Sequence, residues 1–191
     1  MKIICVFMLT LLISSCDSYI NTAGNVSVGR VDSEPADCRS EKASQTFLYT
    51  DKKSSYYYKD KVFYCSDETA YLKSEINLQP SNISIPLSKI QDEAGSLPYT
   101  NAVSTYLTSN NKRLLIELIS WKHCCFPQPD GIGYKVFIYD VTNVGNISKN
   151  EELSKLFGSG FVGRGPETQM TDFDYKSIEK IKNKLKIMED L

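Results

Sequence analysis

Residues 134–141 read Tyr-Lys-Val-Phe-Ile-Tyr-Asp-Val. β-Branched and aromatic side chains dominate this run, and such residues fit a pleated, half-buried surface. Two earlier runs, 102–108 and 113–121, flank Ser109-Asn110-Asn111, a hairpin turn signal. Pro127, Pro129, Asp130, Gly131 and Gly133 form the predicted loop before the third run. The spacing therefore predicts a three-stranded antiparallel meander over 102–141. No repeat at the period of a propeller blade accompanies it, so a single open sheet is expected. Residues 45–50 and 56–65 carry the same Tyr, Phe and Val texture, and residues 70–78 alternate, with Tyr71, Lys73, Glu75 and Asn77 on one face. In Tyr56-Tyr57-Tyr58 the outer two share a face and the middle one takes the other, which reads as core and ordinary surface.

Two helices are expected. The first is short, 151–157. The second, 174–188, places Tyr175, Ile178, Ile181, Leu185 and Met188 at helical spacing, with Asp172 and Asp174 at its N-terminal end. Lys176, Lys180, Lys184 and Lys186 line its other side, diluted by Glu179 and Asp190, and this side reads as solvated. The fold class that follows is α+β, mainly β: an antiparallel meander sheet packed by a C-terminal amphipathic helix and stapled by disulfides.

The chain opens with Lys2, an apolar run from Ile3 to Ile13, and Ser14-Ser15-Cys16. A positive start, a short apolar core and small residues before a cut are the layout of a secretory signal. A bilayer span needs about 20 apolar residues, so the run is too short for one. With cysteine just after the cut, residues 1–16 resemble a bacterial lipoprotein signal with its lipobox. The resemblance implies cleavage before Cys16, acylation of its thiol, and several acyl chains, where more than one is needed for stable anchoring. The rival reading is an ordinary signal peptide with Cys16 a normal thiol. Asp17 is similar to the inner-membrane retention signal of enterobacterial lipoproteins. Expected organisation is a signal peptide (1–15), a lipidated N-terminus and flexible tether (16–36), and one globular domain (37–191), in the cell envelope and facing the periplasm or exterior. The tether reading rests on Ser, Asn, Gly, Asp and Pro35 with few large apolar groups. The N-x-S sequons at Asn25, Asn82 and Asn146 would matter only in a eukaryotic secretory pathway.

The full chain has 22 Lys and Arg against 23 Asp and Glu, and cleavage removes only Lys2 among them. That balance offers no global attraction for nucleic acid. Of the 6 cysteines, Cys5 leaves with the signal and Cys16 carries lipid, so Cys38, Cys65, Cys124 and Cys125 remain. An even number in an exported domain indicates disulfides. A direct Cys124–Cys125 bond would close a strained ring. Neighbours on an extended segment point to opposite faces, so one is expected to bond Cys38 and the other Cys65. The run His123-Cys124-Cys125 lacks the usual ligand spacing for zinc, and no metal site is expected.

His123 is the chain's one histidine. A neighbouring cysteine nucleophile would have to be reduced, so the reading is a loop histidine beside a bridge. Asp130, Asp140, Glu117 and Asp172 are scattered, and nothing in their spacing selects a catalytic pair. Residues 158–163, Gly-Ser-Gly-Phe-Val-Gly, fit the dinucleotide-binding pattern letter for letter. The mechanism requires a strand before and a helix after. Here a helix precedes and Arg164-Gly165-Pro166 follows, so no cofactor is expected. Residues 158–168 then read as a surface loop displaying Phe161 and Arg164, and 126–133 as a second loop displaying Phe126. With no catalytic constellation, the expected function is a non-enzymatic protein-binding module held at the membrane by its lipid. Its general plan is that of immunity proteins or inhibitors acting on a periplasmic toxin or wall hydrolase. The alternatives are an envelope assembly or structural accessory, and an enzyme with an unrecognised carboxylate site.

Overall fold

Strand alternation sorts the apolar residues of this chain onto inner faces, and those faces build two sheets rather than one. The computed structural model describes residues 37–51, 54–66, 69–92, 97–123, 130–143, 146–164 and 170–190. Their elements run β1 (Cys38–Asp51), β2 (Ser54–Cys65), β3 (Ala70–Gln79), β4 (Ile83–Asp92), β5 (Tyr99–Leu107), β6 (Arg113–His123), β7 (Asp130–Asn143), β8 (Asn146–Lys149), α1 (Glu151–Phe157), β9 (Ser159–Arg164), β10 (Met170–Thr171) and α2 (Ile178–Glu189). The first sheet has the order β1-β2-β3-β4. The second has the order β10-β9-β7-β6-β5, with β8 also on β7. All strand pairings among the described residues are antiparallel.

The two sheets pack face to face. Tyr56, Tyr58, Val62, Leu72, Ile76 and Leu78 of the first meet Leu115, Ile119, Phe137 and Tyr139 of the second. The opposite face of the second sheet, through Leu114, Ile116, Leu118, Val136 and Ile138, packs on Phe157 of α1 and on Ile181 and Leu185 of α2. The architecture is thus three layers: sheet, sheet, helices. The middle layer is covered on both sides, which is why β6 is buried at every position from Leu114 to Ser120 and reads Leu-Leu-Ile-Glu-Leu-Ile-Ser rather than alternating.

The meander over 102–141 is present as β5-β6-β7, and its first turn forms where expected. Asn111 sits at φ 58°, and the Thr108 amide donates to the Lys112 carbonyl at 2.8 Å. The first helix is present as α1, with Asn150 as N-cap, its side chain accepting from the Leu153 amide. α2 begins at Ile178 rather than near residue 174. Ser177 caps it by accepting from the Lys180 amide, while Asp172 is held before the helix by Lys176 at 2.5 Å. β1 begins at Cys38, seven residues earlier than the texture at 45–50 implied. β4 was not anticipated, because Pro86 and its serines break the pattern; an edge strand tolerates both.

Three expectations are corrected. Cys38 is bonded to Cys65, so neither pairs with Cys124 or Cys125. The reason is register: Cys38 and Cys65 lie directly opposite on β1 and β2, with Cα atoms 3.9 Å apart. Residues 159–164, expected within a loop, form β9 along the edge of β7. Glycines allow the close approach: a Cβ at Gly163, whose φ is 145°, would lie 2.4 Å from the Asp130 carbonyl oxygen, and one at Gly160 would strike the Phe173 ring. Residues 130–133 likewise open β7 instead of closing a loop. Cys16, Asp17, the tether, Cys124, Cys125 and Phe126 lie outside the described residues.

Candidate functional site

At one end of the second sheet, strand alternation carries Trp121 and His123 of β6 onto the face that continues the inter-sheet core. Opposite them on β7 stand Gly133 and Gly131, and opposite Gly133 on β9 stands Phe161. A Cβ at Gly133 would lie 2.6 Å from the Trp121 indole, and one at Gly131 would lie 2.8 Å from the Phe161 ring and 2.2 Å from the Val162 carbonyl oxygen. The two glycines therefore clear the floor on which the rings lie.

The rings touch in sequence. Trp121 and His123 have centroids 6.2 Å apart, and His123 and Phe161 have centroids 5.7 Å apart. The Trp121 Nε1–H donates to His123 Nε2 at 2.5 Å. An indole nitrogen only donates, so this bond requires a bare Nε2 and puts the imidazole hydrogen on Nδ1. All three rings are half-buried. They offer apolar edge and one ring N–H to a partner.

Phe161 and Arg164 share β9 but stand three residues apart, so they leave the sheet on opposite faces. Arg164 is exposed, opposite Asp130 on one side and Met170 on the other. Met170 is 76% exposed. The structure thus gathers Phe161 with two residues that sequence reasoning passed over as site residues, Trp121 and His123. It places Arg164 and Met170 around the same sheet edge, on the reverse side. The signal was available in the alternation of 119, 121 and 123 and in Gly131-x-Gly133, where missing side chains mark room for neighbouring rings.

The scattered carboxylates have separate structural duties. Glu117 is fully buried between the sheets. Tyr58 donates to its Oε1 at 2.7 Å, Tyr139 to its Oε2 at 2.9 Å, and Ser88 to Oε1 at 3.2 Å. Tyr58 spends its hydrogen on Glu117, so the 2.7 Å contact with Thr100 Oγ1 is donated by Thr100. Burial raises the Glu117 pKa above the usual carboxylate range, against the opposing pull of these hydrogen bonds. Burial first, and then the Glu117 charge, push the phenols of Tyr58 and Tyr139 up, which keeps both as donors. Asp140 accepts from Lys112 at 2.8 Å and from Asn150.

Two surface depressions among the described residues bear on charged or aromatic side chains. One, of about 340 Å³, is lined by Lys135, Phe137, Lys149, Glu151 and Lys155 among others; Lys149 pairs with Glu151 at 2.7 Å. The other, of about 190 Å³, lies where the sheets meet beside Tyr49, Tyr56 and Arg113. There the Arg113 guanidinium sits 4.0 Å from the Tyr49 ring centre, and Tyr49 stacks on Tyr56 at 4.3 Å. That column joins β1 and β2 to β6, so its residues bridge the layers.

No protein-family model, curated protein or solved structure matches this chain.

Proposed function

We propose that this chain is a membrane-anchored lipoprotein whose single domain is a non-enzymatic protein-binding module of the cell envelope. Inhibition of, or immunity to, a toxin or wall hydrolase is the activity that fits such a module. The observation that carries the reading is the half-exposed ring series Trp121, His123 and Phe161 at the sheet edge, with exposed Met170 and Arg164 on its reverse. Aromatic, methionine and arginine side chains are the types enriched at protein interfaces, and tryptophan and arginine are frequent hot spots. Glu117, the most deeply buried of the candidate carboxylates, is occupied by the hydroxyls of Ser74, Tyr58, Tyr139 and Ser88 and lies away from solvent, which favours binding over turnover.

The test uses the full chain in its own membranes. Crosslinking followed by affinity purification should recover a discrete envelope protein, and Phe161→Ala and Arg164→Ala should each reduce that recovery several-fold. Recovery unchanged in both variants rejects this surface. Turnover of a wall or lipid substrate by the purified chain, abolished by a single carboxylate change, rejects the binding reading. The anchor is tested separately: mass spectrometry of the purified protein should show a diacylglyceryl-modified, N-acylated Cys16, and an unmodified thiol rejects it.

A further inference from the structure

At the end of the inter-sheet space remote from Trp121 and His123, β6 begins with Arg113, on the same face as Leu115 and Glu117. β1 closes there with Asp51, two residues beyond Tyr49. Both line the recess of about 190 Å³, together with Tyr49, Tyr56, Asn111 and Thr142. The Arg113 guanidinium sits 4.0 Å from the Tyr49 ring centre, and the Tyr49 ring stacks on Tyr56 with 12° between their planes. Stacking holds the guanidinium in one place. It leaves the N–H edge, which can meet a carboxylate through two parallel hydrogen bonds.

Opposite charges share this recess without pairing. Among the described residues, neither the Arg113 nor the Asp51 side chain joins an ion pair or a hydrogen bond. Both nevertheless face the same two tyrosines. Burial raises the phenols of Tyr49 and Tyr56, which keeps both protonated, and the Asp51 and Arg113 charges act on each phenol in opposite directions. Strand pairing sets the two charges on different sheets. Asp51 stands across from Ser54 at the end of the β1–β2 hairpin, and Arg113 stands between Leu107 of β5 and Val141 of β7. Leu107 and Val141 also line the recess and supply its apolar side. Pockets for drug-sized ligands measure roughly 300–1,000 Å³, so this one takes a smaller molecule.

We propose that this recess binds a small free α-amino acid as its zwitterion. The carboxylate takes the Arg113 fork, the ammonium group takes Asp51, and a short apolar side chain lies toward Leu107 and Val141. A lone anion would meet Asp51 as a like charge, and a lone cation would meet Arg113. The occupant is therefore selected by carrying both charges on one small molecule. The site lies at the opposite end of β6 from the aromatic edge, and it stands whether or not that edge captures a protein.

Titration calorimetry of the full chain with alanine, valine, acetate and methylammonium tests it. Alanine or valine should bind one to one with a Kd of about 1 mM or tighter, and acetate and methylammonium about tenfold or more weakly. Arg113→Lys keeps the charge and loses the fork, so it should weaken amino-acid binding about tenfold or more. Asp51→Asn should weaken amino-acid binding by a similar factor while leaving acetate binding undiminished. Thermal unfolding of each variant separates a lost site from a lost fold, and Asp51, at the end of its strand, is the position that spares the Tyr49–Arg113 stack. Absence of saturable binding by both amino acids overturns the proposal. Acetate binding as tight as alanine binding shows a simple anion site and also overturns it, as does undiminished alanine binding by the folded Asp51→Asn chain.

Discussion

Glu117 is where one atom group reports on the whole inter-sheet core. Its carboxylate lies in the dry space between the sheets with Tyr58, Tyr139 and Ser88 donating to it. Burial raises its pKa in the fold relative to the unfolded chain. The native state therefore binds more proton than the unfolded state once pH climbs above the ordinary carboxylate range. By linkage, stability contributed by the protonated group is fully present below the unfolded pKa and is lost as pH rises through the folded one. Thermal unfolding followed from mildly acidic to neutral pH should show stability falling in that window, with a slope of at most about 1.4 kcal/mol per pH unit from this residue. Glu117→Gln should flatten the slope; an unchanged slope assigns it elsewhere. Glu117→Ala strands the hydroxyls that donate to it and opens a cavity, so it should cost about 3 kcal/mol or more in denaturant unfolding. Nothing in the sequence marks this residue, because its partners come from β2, β3, β4 and β7, up to 59 residues away. Pairwise geometry of that kind has no local signature.

At the level of elements, what was legible followed periodicity, and what was missed followed context. β2, β3, the β5-β6-β7 meander and α1 announce themselves by alternation, turn residues or helical spacing. β9 does not, since Gly158, Gly160 and Gly163 read as loop until a neighbouring strand needs their missing side chains. The start of α2 was misplaced because Asp172 and Asp174 are as suited to capping as Ser177. Ser177→Ala should cost about 1 kcal/mol in equilibrium unfolding, whereas Asp174→Ala should change it little. The β1–β2 hairpin depends on a different device. β1 is an edge strand, exposed from Arg39 to Phe47, and its free end is held to β2 by the Cys38–Cys65 bond across 27 residues. Closing a loop of that size stabilises by roughly 3–4 kcal/mol in the chain-entropy account. The Cys38→Ser, Cys65→Ser double variant should lose about that much. It should also lose hydrogen-exchange protection first in β1, while β6 stays protected.

The three layers make the whole molecule unequal in its tolerance of change. β6 belongs to two cores at once, with Leu115 and Ile119 facing the first sheet and Leu114, Ile116 and Leu118 facing the helices. The surface proposed for partner binding grows from the end of that same strand. Its residues therefore divide by how far they reach into the core. Phe161 is half-buried against His123, so Phe161→Ala should weaken partner capture and also lower stability, by about 1–2 kcal/mol. Arg164 and Met170 are exposed at the second sheet's β9–β10 edge, and removing either side chain should leave unfolding within about 0.5 kcal/mol of the parent. Arg164→Ala is accordingly the decisive variant. An interface hot spot costs about 2 kcal/mol or more, a loss near thirtyfold in affinity. Partner titration against the folded Arg164→Ala chain should show a loss of that order with an unchanged unfolding curve. If capture falls only in variants that also unfold more easily, the edge is structural. The contact surface must then be sought elsewhere on the domain.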